Sequence, residues 1–442
     1  MKGLIFTYAL TYGGAVVSLF HPFYGLLIYI CFAIIRPESL WHWSVPQGGN
    51  YSRIVAIGLL LGWMLHGFGN WNLGKAKPIV AAFIAFWCWA VVTSATAKAD
   101  SSLGFMQVEE YAKVLAPFLV GMTTIRTIRQ VKQLAWVLVL SQGYLAYEFN
   151  MTYYTSSFFN PNEWTFGGID RNGIAITMVT SAGLAFFLGL YSSRVWQKWL
   201  CLGLAAAMVH VVLFSLSRGG MLAVIVTGVV SFLLIPKRPK QVMILLLAVA
   251  VGLSLAGPQV VERFESSFEE ERDPSAESRL DLWIATSNVM LANPVTGIGP
   301  QNWKLAAQNY GFAPGKDAHT TWLHVGAEMG LPGLAFLVSF YVVCAARLWR
   351  LARSRRVTGD DWYATVARMV ISALAGFAVS AQFVSMHGVE FPYYIVLLGA
   401  VTLKLAPLDP DGVSGQSHAI EHWTVAPLRR AGVEPAGAWT RT

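Results

Sequence analysis

Charged residues and cysteines are scarce in this chain. Lys, Arg, Asp and Glu together make up 13% of its 442 residues, whereas soluble domains carry about 25%. The four cysteines have neither paired nor metal-type spacing, which argues against a disulfide framework and a cysteine-ligated metal. No glycine-rich loop has the spacing of a nucleotide-phosphate site. We therefore expect neither a metal ion nor a nucleotide cofactor.

Long apolar runs are abundant instead. Hydrophobic residues make up 55% of the sequence, and the mean hydropathy is +0.50. Runs of about 15–25 residues can cross roughly 30 Å of hydrocarbon as helices, and these runs lack the period-two alternation of barrel strands. We predict an all-α polytopic transmembrane bundle of twelve or thirteen spans, near residues 3–20, 22–35, 54–69, 78–95, 111–125, 133–150, 173–190, 199–216, 219–235, 241–257, 323–346, 364–386 and 390–405.

Two features of this topology depend on short connections. Only His21 and Pro22 separate the first two runs, so either run could be a re-entrant hairpin rather than a full span. Lys and Arg collect in alternate loops, which predicts that this side faces the cytoplasm. These basic positions explain the formal net charge of +8 by contact with anionic lipid head groups, so we expect membrane lipids and no nucleic acid as partners. The loops predicted to face outward are 36–53, 96–110, 151–172 and 258–322.

Ionisable residues at membrane depth are costly and are candidates for function. Arg218 lies between two apolar runs with almost no loop, where it is either a snorkelling helix-end arginine or a ligand for an anion. Arg279 could pair with neighbouring carboxylates in an outer-loop helix, and Arg171 could pair with Asp170. Several arginines converging on one outer cavity would instead suit a diphosphate, because guanidinium binds phosphate oxygens in a bidentate way.

His319 is the candidate base. It ends a long polar loop where an apolar run begins, and a histidine there is either a solvated loop residue or a general base near neutral pH. Next to Arg218, Gly219 lacks a side chain and would let a backbone or a phosphate approach closely. Within residues 258–322 we predict a short helical cap with an apolar stripe formed by Leu280, Trp283, Ile284, Val289 and Leu291.

Four linked motifs resemble the signature series of the bacterial O-antigen ligase and polymerase superfamily, over roughly residues 170–350. They are Ser217-Arg218-Gly219-Gly220, Ser278-Arg279 followed by Trp283, Asn293-Pro294-Val295-Thr296-Gly297-Ile298-Gly299-Pro300-Gln301-Asn302-Trp303, and Ala318-His319-Thr320-Thr321-Trp322 with Glu328 and Gly330. Residues 36–41, Arg-Pro-Glu-Ser-Leu-Trp, are similar to the O-glycosylation ligases associated with exosortase systems. Thr320 departs from the family's usual asparagine.

The resemblance implies a GT-C-type glycosyltransferase of the bacterial inner membrane, with its active site facing the periplasm. It would transfer a glycan from undecaprenyl diphosphate to a lipid, glycan or protein hydroxyl by a metal-independent, inverting reaction. In that reaction His319 would be the catalytic base. Arg218, Arg279 and Arg171 would bind the donor diphosphate, with Ser217, Gly219 and Glu328 in support.

Two other functions remain open at this point, a polymerase of lipid-linked repeat units and an exporter of lipid-linked oligosaccharide or polysaccharide. The predicted organisation is a transmembrane region at 1–170, a ligase-like core at 171–406 that includes the 258–322 loop, and a flexible tail at 407–442.

Overall fold

A computed structural model describes residues 2–156, 159–161, 163–235, 239–254, 274–353, 362–385 and 389–406. The predicted tail, residues 407–442, lies outside the described residues, and so does the part of the 258–322 loop up to residue 273.

The described chain is built almost entirely from helices. In chain order they are α1 Lys2–Tyr8, α2 Gly14–Phe20, α3 Pro22–Ile35, α4 Pro37–Leu40, α5 Tyr51–Leu65, α6 Lys77–Ala95, α7 Ser101–Thr124, α8 Ile128–Thr155, α9 Arg171–Tyr191, α10 Val195–Phe214, α11 Arg218–Leu234, α12 Pro239–Ser254, α13 Pro274–Ala292, α14 Trp303–Ala306, α15 Thr321–Ala352, α16 Trp362–Ser380 and α17 Phe391–Leu405. A π-helical turn, Ala9–Gly13, joins α1 to α2, and short 3₁₀ turns occupy Gly74–Ala76 and Ala307–Tyr310.

The helices confirm the predicted fold class. Each of the thirteen predicted spans overlaps a helix or the continuous helical stretch Lys2–Phe20. Residues 255–257 and 386, at the ends of two predicted spans, lie outside the described residues. Among the described residues, seven helical stretches are long and apolar enough to cross a membrane, and three further apolar helices are shorter. The chain is therefore an all-α, multi-pass membrane protein. The number of crossings stays a prediction.

One two-stranded hairpin interrupts the helices. β1 (Thr165–Phe166) pairs antiparallel with β2 (Ile169–Asp170). The turn residues Gly167 and Gly168 have φ of 57° and 80°, which a two-residue hairpin turn requires and glycine adopts without strain. This hairpin was not predicted, and it leads directly into α9.

Helix α9 forms the centre of the bundle. All its residues from Gly173 to Leu190 are buried, as expected for a helix that is apolar on every face. Small residues allow close packing, because a side chain at Gly183 would come within 2.7 Å of Ser372 Oγ on α16.

Several described basic residues lie near the helix ends opposite His319. Lys404 Nζ donates to Ile125 O at 3.2 Å, Arg347 donates to Lys75 O, and Lys132 Nζ lies 4.4 Å from the centre of the Trp362 ring. His319, at the start of α15, lies at the opposite end from Arg347. The assignment of this end to the cytoplasm stays a prediction.

Helix α15 is broken at Gly330, where φ is 69° and ψ is −176°. The break frees carbonyl groups that an unbroken helix would pair internally. Ile298 N donates to Ala327 O at 3.0 Å, Gly299 N donates to Glu328 O at 2.8 Å, and Trp89 Nε1 donates to Met329 O at 2.8 Å. In return, Leu331 N donates to Pro294 O at 2.8 Å. Segment 294–299 therefore supplies hydrogen-bond partners for backbone groups at the break in α15, since buried backbone groups must find partners.

The predicted helical cap is present as α13, but the predicted stripe is wrong. Leu282, Ala285, Thr286 and Val289 are buried, which is the i, i+3, i+4, i+7 spacing of one helix face. Leu280, Ile284 and Leu291 are exposed. The prediction chose the largest apolar side chains, and the helix instead buries a face that includes a small residue and a threonine, whose Oγ1 donates to Leu282 O.

Candidate active site

The starts of α9 and α11 are joined by a chain of polar contacts. Asp170 caps α9, accepting from Gly173 N at 2.8 Å through Oδ1, while its Oδ2 accepts from Asn172 Nδ2 at 2.9 Å. Ser217 Oγ, which caps α11, donates to Asn172 Oδ1 at 2.8 Å. Because Arg171 follows Asp170 and Arg218 follows Ser217, these contacts hold the first residues of both helices at one place.

The turn before Arg218 is as tight as predicted, since α10 ends at Phe214 and α11 begins at Arg218. Leu216 has φ of 53° in this turn. Of the two alternatives given for Gly219, close approach of protein or of a phosphate, the structure shows protein at this position. A side chain at Gly219 would lie 2.7 Å from Phe383 Cβ, and one at Gly220 would lie 2.9 Å from Ala175 Cβ. The glycines admit neighbouring protein, so Gly219 supports the site by packing.

Residues 381–384, which follow α16, tie three other elements together. Phe383 packs against Gly219 of α11, and its ring lies 5.9 Å from the Trp283 ring of α13. Thr321 N donates to Ala381 O at 2.8 Å, and Thr321 Oγ1 donates to Val384 O at 2.6 Å. Arg279 lies one helical turn before Trp283, which places it on the same side of α13.

His319 is half-buried and has φ of 50°, the left-handed region that residues other than glycine seldom adopt. Burial lowers the pKa of His319 below its usual value, and the positive charges of Arg279 and Lys316 lower it further. The carboxylates of Asp317 and Asp170 oppose this shift. The imidazole is therefore neutral near pH 7, which is the form that can accept a proton.

Electrostatic interactions and hydrogen bonds link the predicted residues. His319 interacts electrostatically with both Arg279 of α13 and Asp170 at the start of α9. Arg171 adjoins Asp170, and Arg218 is linked to the same place through Ser217 and Asn172. All three arginines are partly buried. The arrangement combines a neutral imidazole, a carboxylate that acts on it and several guanidinium groups.

Glu328, predicted as a supporting residue, is buried and contacts protein groups. Its Oε1 accepts from Trp303 N at 3.1 Å and lies 3.1 Å from His324 Nε2. Both side chains of the His324–Glu328 pair are buried, and Ser385 Oγ lies 3.4 Å from His324 Nδ1. Glu328 thus anchors the 294–303 segment beneath the site.

His324 was not predicted from the sequence. Its i, i+4 spacing from Glu328 is that of two residues on one helix face, and this spacing could have revealed the pair. Asp170 was predicted only as a partner for Arg171, whereas its negative charge also acts on the imidazole of His319. In the part of the chain that is described, no group of three or more His, Cys, Asp or Glu side chains could hold a metal ion, and all four cysteines are free thiols.

Comparison with sequence families gives two matches. The O-antigen ligase family matches residues 203–338, which include Arg218, Arg279 and His319. Residues 203–338 are thus an O-antigen ligase-like region of this membrane protein. A family of unknown function (DUF5935) matches residues 1–152, and no curated protein matches the chain significantly. The match of residues 203–338 indicates a membrane glycan ligase or polymerase, and the similarity of residues 36–41 to the exosortase-associated branch stays a prediction.

Proposed function

We propose that this protein transfers a glycan from undecaprenyl diphosphate to an acceptor hydroxyl at the periplasmic face of the bacterial inner membrane, by an inverting reaction. The observation that carries the proposal is the meeting of a neutral, half-buried His319 with Arg279 and Asp170, beside the starts of α9 and α11.

In this reaction the acceptor oxygen attacks the anomeric carbon of the donor sugar as its proton passes to the His319 imidazole. The bond from the anomeric carbon to the diphosphate oxygen breaks, and the electron pair leaves with the diphosphate. Arg218, Arg279 and Arg171 stabilise the negative charge that develops there, because fixed positive groups act strongly where water is excluded. Asp170 stabilises the positive charge on the imidazolium that forms.

Positive charge for the leaving group is thus available from arginine side chains. We propose on this basis that the transfer is independent of a metal ion. Since burial and the cations Arg279 and Lys316 favour neutral imidazole, the site keeps its base unprotonated in the presence of the guanidinium groups that bind the donor.

A broken membrane helix is also found in transporters, where the freed backbone groups bind substrate. In α15 these groups are taken by protein: Ile298, Gly299 and Trp89 occupy the carbonyls before Gly330. This contrast favours catalysis over export.

The test is deletion of the gene in its native host, complemented by wild type, His319→Ala and Arg279→Ala, with analysis of glycans on the lipid carrier. Accumulation of full-length chains on the carrier supports a ligase, and accumulation of single repeat units supports a polymerase. Full complementation by both variants, at wild-type protein levels, would refute the proposed site.

A further inference from the structure

The N-terminal region meets the ligase-like region where the connection between α6 and α7 contacts segment 293–303. Lys98 N donates to Ile298 O at 3.1 Å, and a side chain at Gly299 would come within 2.4 Å of Ala97 Cβ. Gly299 has φ of 99°, so both its backbone conformation and the space beside it require glycine. This segment therefore lies backbone to backbone against a part of the chain that the family of unknown function matches.

Asn302 forms a two-way contact with the same connection. Its Oδ1 accepts from Asp100 N at 2.8 Å, and its Nδ2 donates to Asp100 O at 2.9 Å and to Pro300 O at 3.0 Å. Asn302 is 1% exposed, and hydrogen bonds are electrostatically stronger away from water. The pairing requires both a donor and an acceptor on one short side chain, which is the property of a primary amide.

Asn302 stands at the N-cap of α14, where asparagine ordinarily accepts from the first N–H groups of its own helix. Its side chain makes no such bond here. Residues on either side of it also contact the N-terminal region: Lys98 Nζ donates to Asn293 Oδ1, and Gln301 Nε2 donates to Gln107 Oε1 at 2.6 Å. The amide therefore holds the segment against the N-terminal region instead of capping α14.

Two contacts lead from α14 to His319. The first residue of α14, Trp303, is fully buried in one apolar cluster with Ala318, which directly precedes His319. Lys304 Nζ lies 3.5 Å from Asp317 Oδ1, and the Asp317 carboxylate acts on the imidazole. A shift of α14 would therefore disturb both the packing next to this histidine and a charge that acts on it.

We propose that Asn302 is a positioning residue for the transfer reaction: by fixing segment 293–303 to the N-terminal region, it holds His319 in place through α14. Residues 1–152 thereby contribute to the active site, although the residues assigned to the diphosphate and to proton transfer all lie outside them. The effect on transfer rests on the function proposed above. The effect on the position of His319 does not, because it depends only on contacts within the free protein.

The test compares Asn302→Ala with the wild type as the full chain in lipid nanodiscs, first by hydrogen exchange of backbone amides without substrate. Exchange reports local opening, so peptides covering residues 297–305 and 317–322 should exchange about tenfold faster in the variant, equivalent to about 1.4 kcal/mol. Peptides from α5 should exchange as in the wild type. An equal rise in every peptide, or no rise at residues 317–322, would overturn the proposal.

Kinetics with purified donor and acceptor form the second measurement. A displacement of about 1 Å can cost about a hundredfold in rate, so kcat should fall by about that factor. The KM for the donor should hold, because Arg171 and Arg218 lie on α9 and α11 and not on α14. An unchanged kcat in a variant with faster exchange at residues 317–322 would also overturn the proposal.

Two further variants isolate the amide. Asp100→Asn alters the side chain that caps α7 but keeps the backbone groups that Asn302 contacts, so it should match the wild type in both measurements. Asn302→Asp keeps the shape and the acceptor but cannot donate to Asp100 O. It should change exchange and kcat in the same direction as Asn302→Ala, and it decides the question if the alanine variant does not fold; wild-type behaviour of Asn302→Asp would overturn the proposal.

The two measurements separate this proposal from the proposed function. Full activity of His319→Ala would refute the assignment of the base. The exchange rates of the Asn302 variants would still decide whether Asn302 positions residues 317–322, because they are measured without donor or acceptor.

Discussion

The break in α15 should tolerate only glycine at position 330. A Cβ added there would lie 2.1 Å from Val295 O, well inside the 3.0 Å that real Cβ contacts keep. The backbone at φ of 69° and ψ of −176° belongs to a region open essentially to glycine, and holding another residue there costs about 1–3 kcal/mol. To relieve the contact between this Cβ and Val295 O, segment 294–299 would have to move away from α15.

At least two of the hydrogen bonds that cross this contact would weaken, those from Leu331 N to Pro294 O and from Gly299 N to Glu328 O, both 2.8 Å. Each contributes about 1 kcal/mol. With the backbone cost, we expect Gly330→Ala to lower the free energy of unfolding by about 3–5 kcal/mol.

The assay is equilibrium denaturation in mixed micelles, followed by tryptophan fluorescence. Gly203→Ala is the matched control, because position 203 lies within α10 and a Cβ there meets nothing within 4 Å. Alanine at such a helix position should be neutral or stabilising by about 0.5–1 kcal/mol. Equal stability of Gly330→Ala and Gly203→Ala would refute the account of the broken helix.

Three further predictions concern the site. Arg279→Ala should lower the transfer rate by about 10²–10³, as measured with purified donor and acceptor, whereas the exposed Arg53→Ala should not. Lys316→Gln removes a charge that lowers the pKa of His319, so the acid limb of the rate profile should move to higher pH with the plateau retained; an unmoved limb would contradict the base assignment. Ser217→Ala loses the α11 cap and the contact to Asn172, and should cost about 1 kcal/mol of stability, measured as for Gly330.

The parts of the fold that local sequence determines were predicted well. Apolar runs gave the positions of the helices, because a run long enough to cross a bilayer has few alternatives to helix. That Arg218, Arg279 and His319 belong to one site was predicted only through the resemblance to a family, and it stays a prediction. Nothing in their separate local sequences shows that α11, α13 and α15 begin or pass at the same place.

Features set by packing between distant segments were missed. The partner that fills the space beside Gly219 is Phe383, more than 160 residues away in the chain. A cleft beside the hairpin is lined by Arg36, Gln142 and Glu390 from three distant segments, and each alone resembles an ordinary helix-end or buried polar residue. The stripe on α13 failed because side-chain size does not decide which face of a surface helix is covered.

Asp170 offers the sharpest test of how the site works, because its carboxylate caps α9 and also raises the pKa of His319. Asp170→Asn keeps a side-chain oxygen for the cap, since asparagine caps helices as well as aspartate does, but it removes the charge. The pKa of His319 should then fall further, and the acid limb of the rate profile should move to lower pH, opposite to the shift in Lys316→Gln. The plateau rate should also fall, because the imidazolium that forms during transfer loses its nearby carboxylate. If Asp170 acted only as a cap, neither the acid limb of the rate profile nor the plateau rate would change. Shifts of opposite sign in Asp170→Asn and Lys316→Gln can arise only if both charges act on the group that titrates.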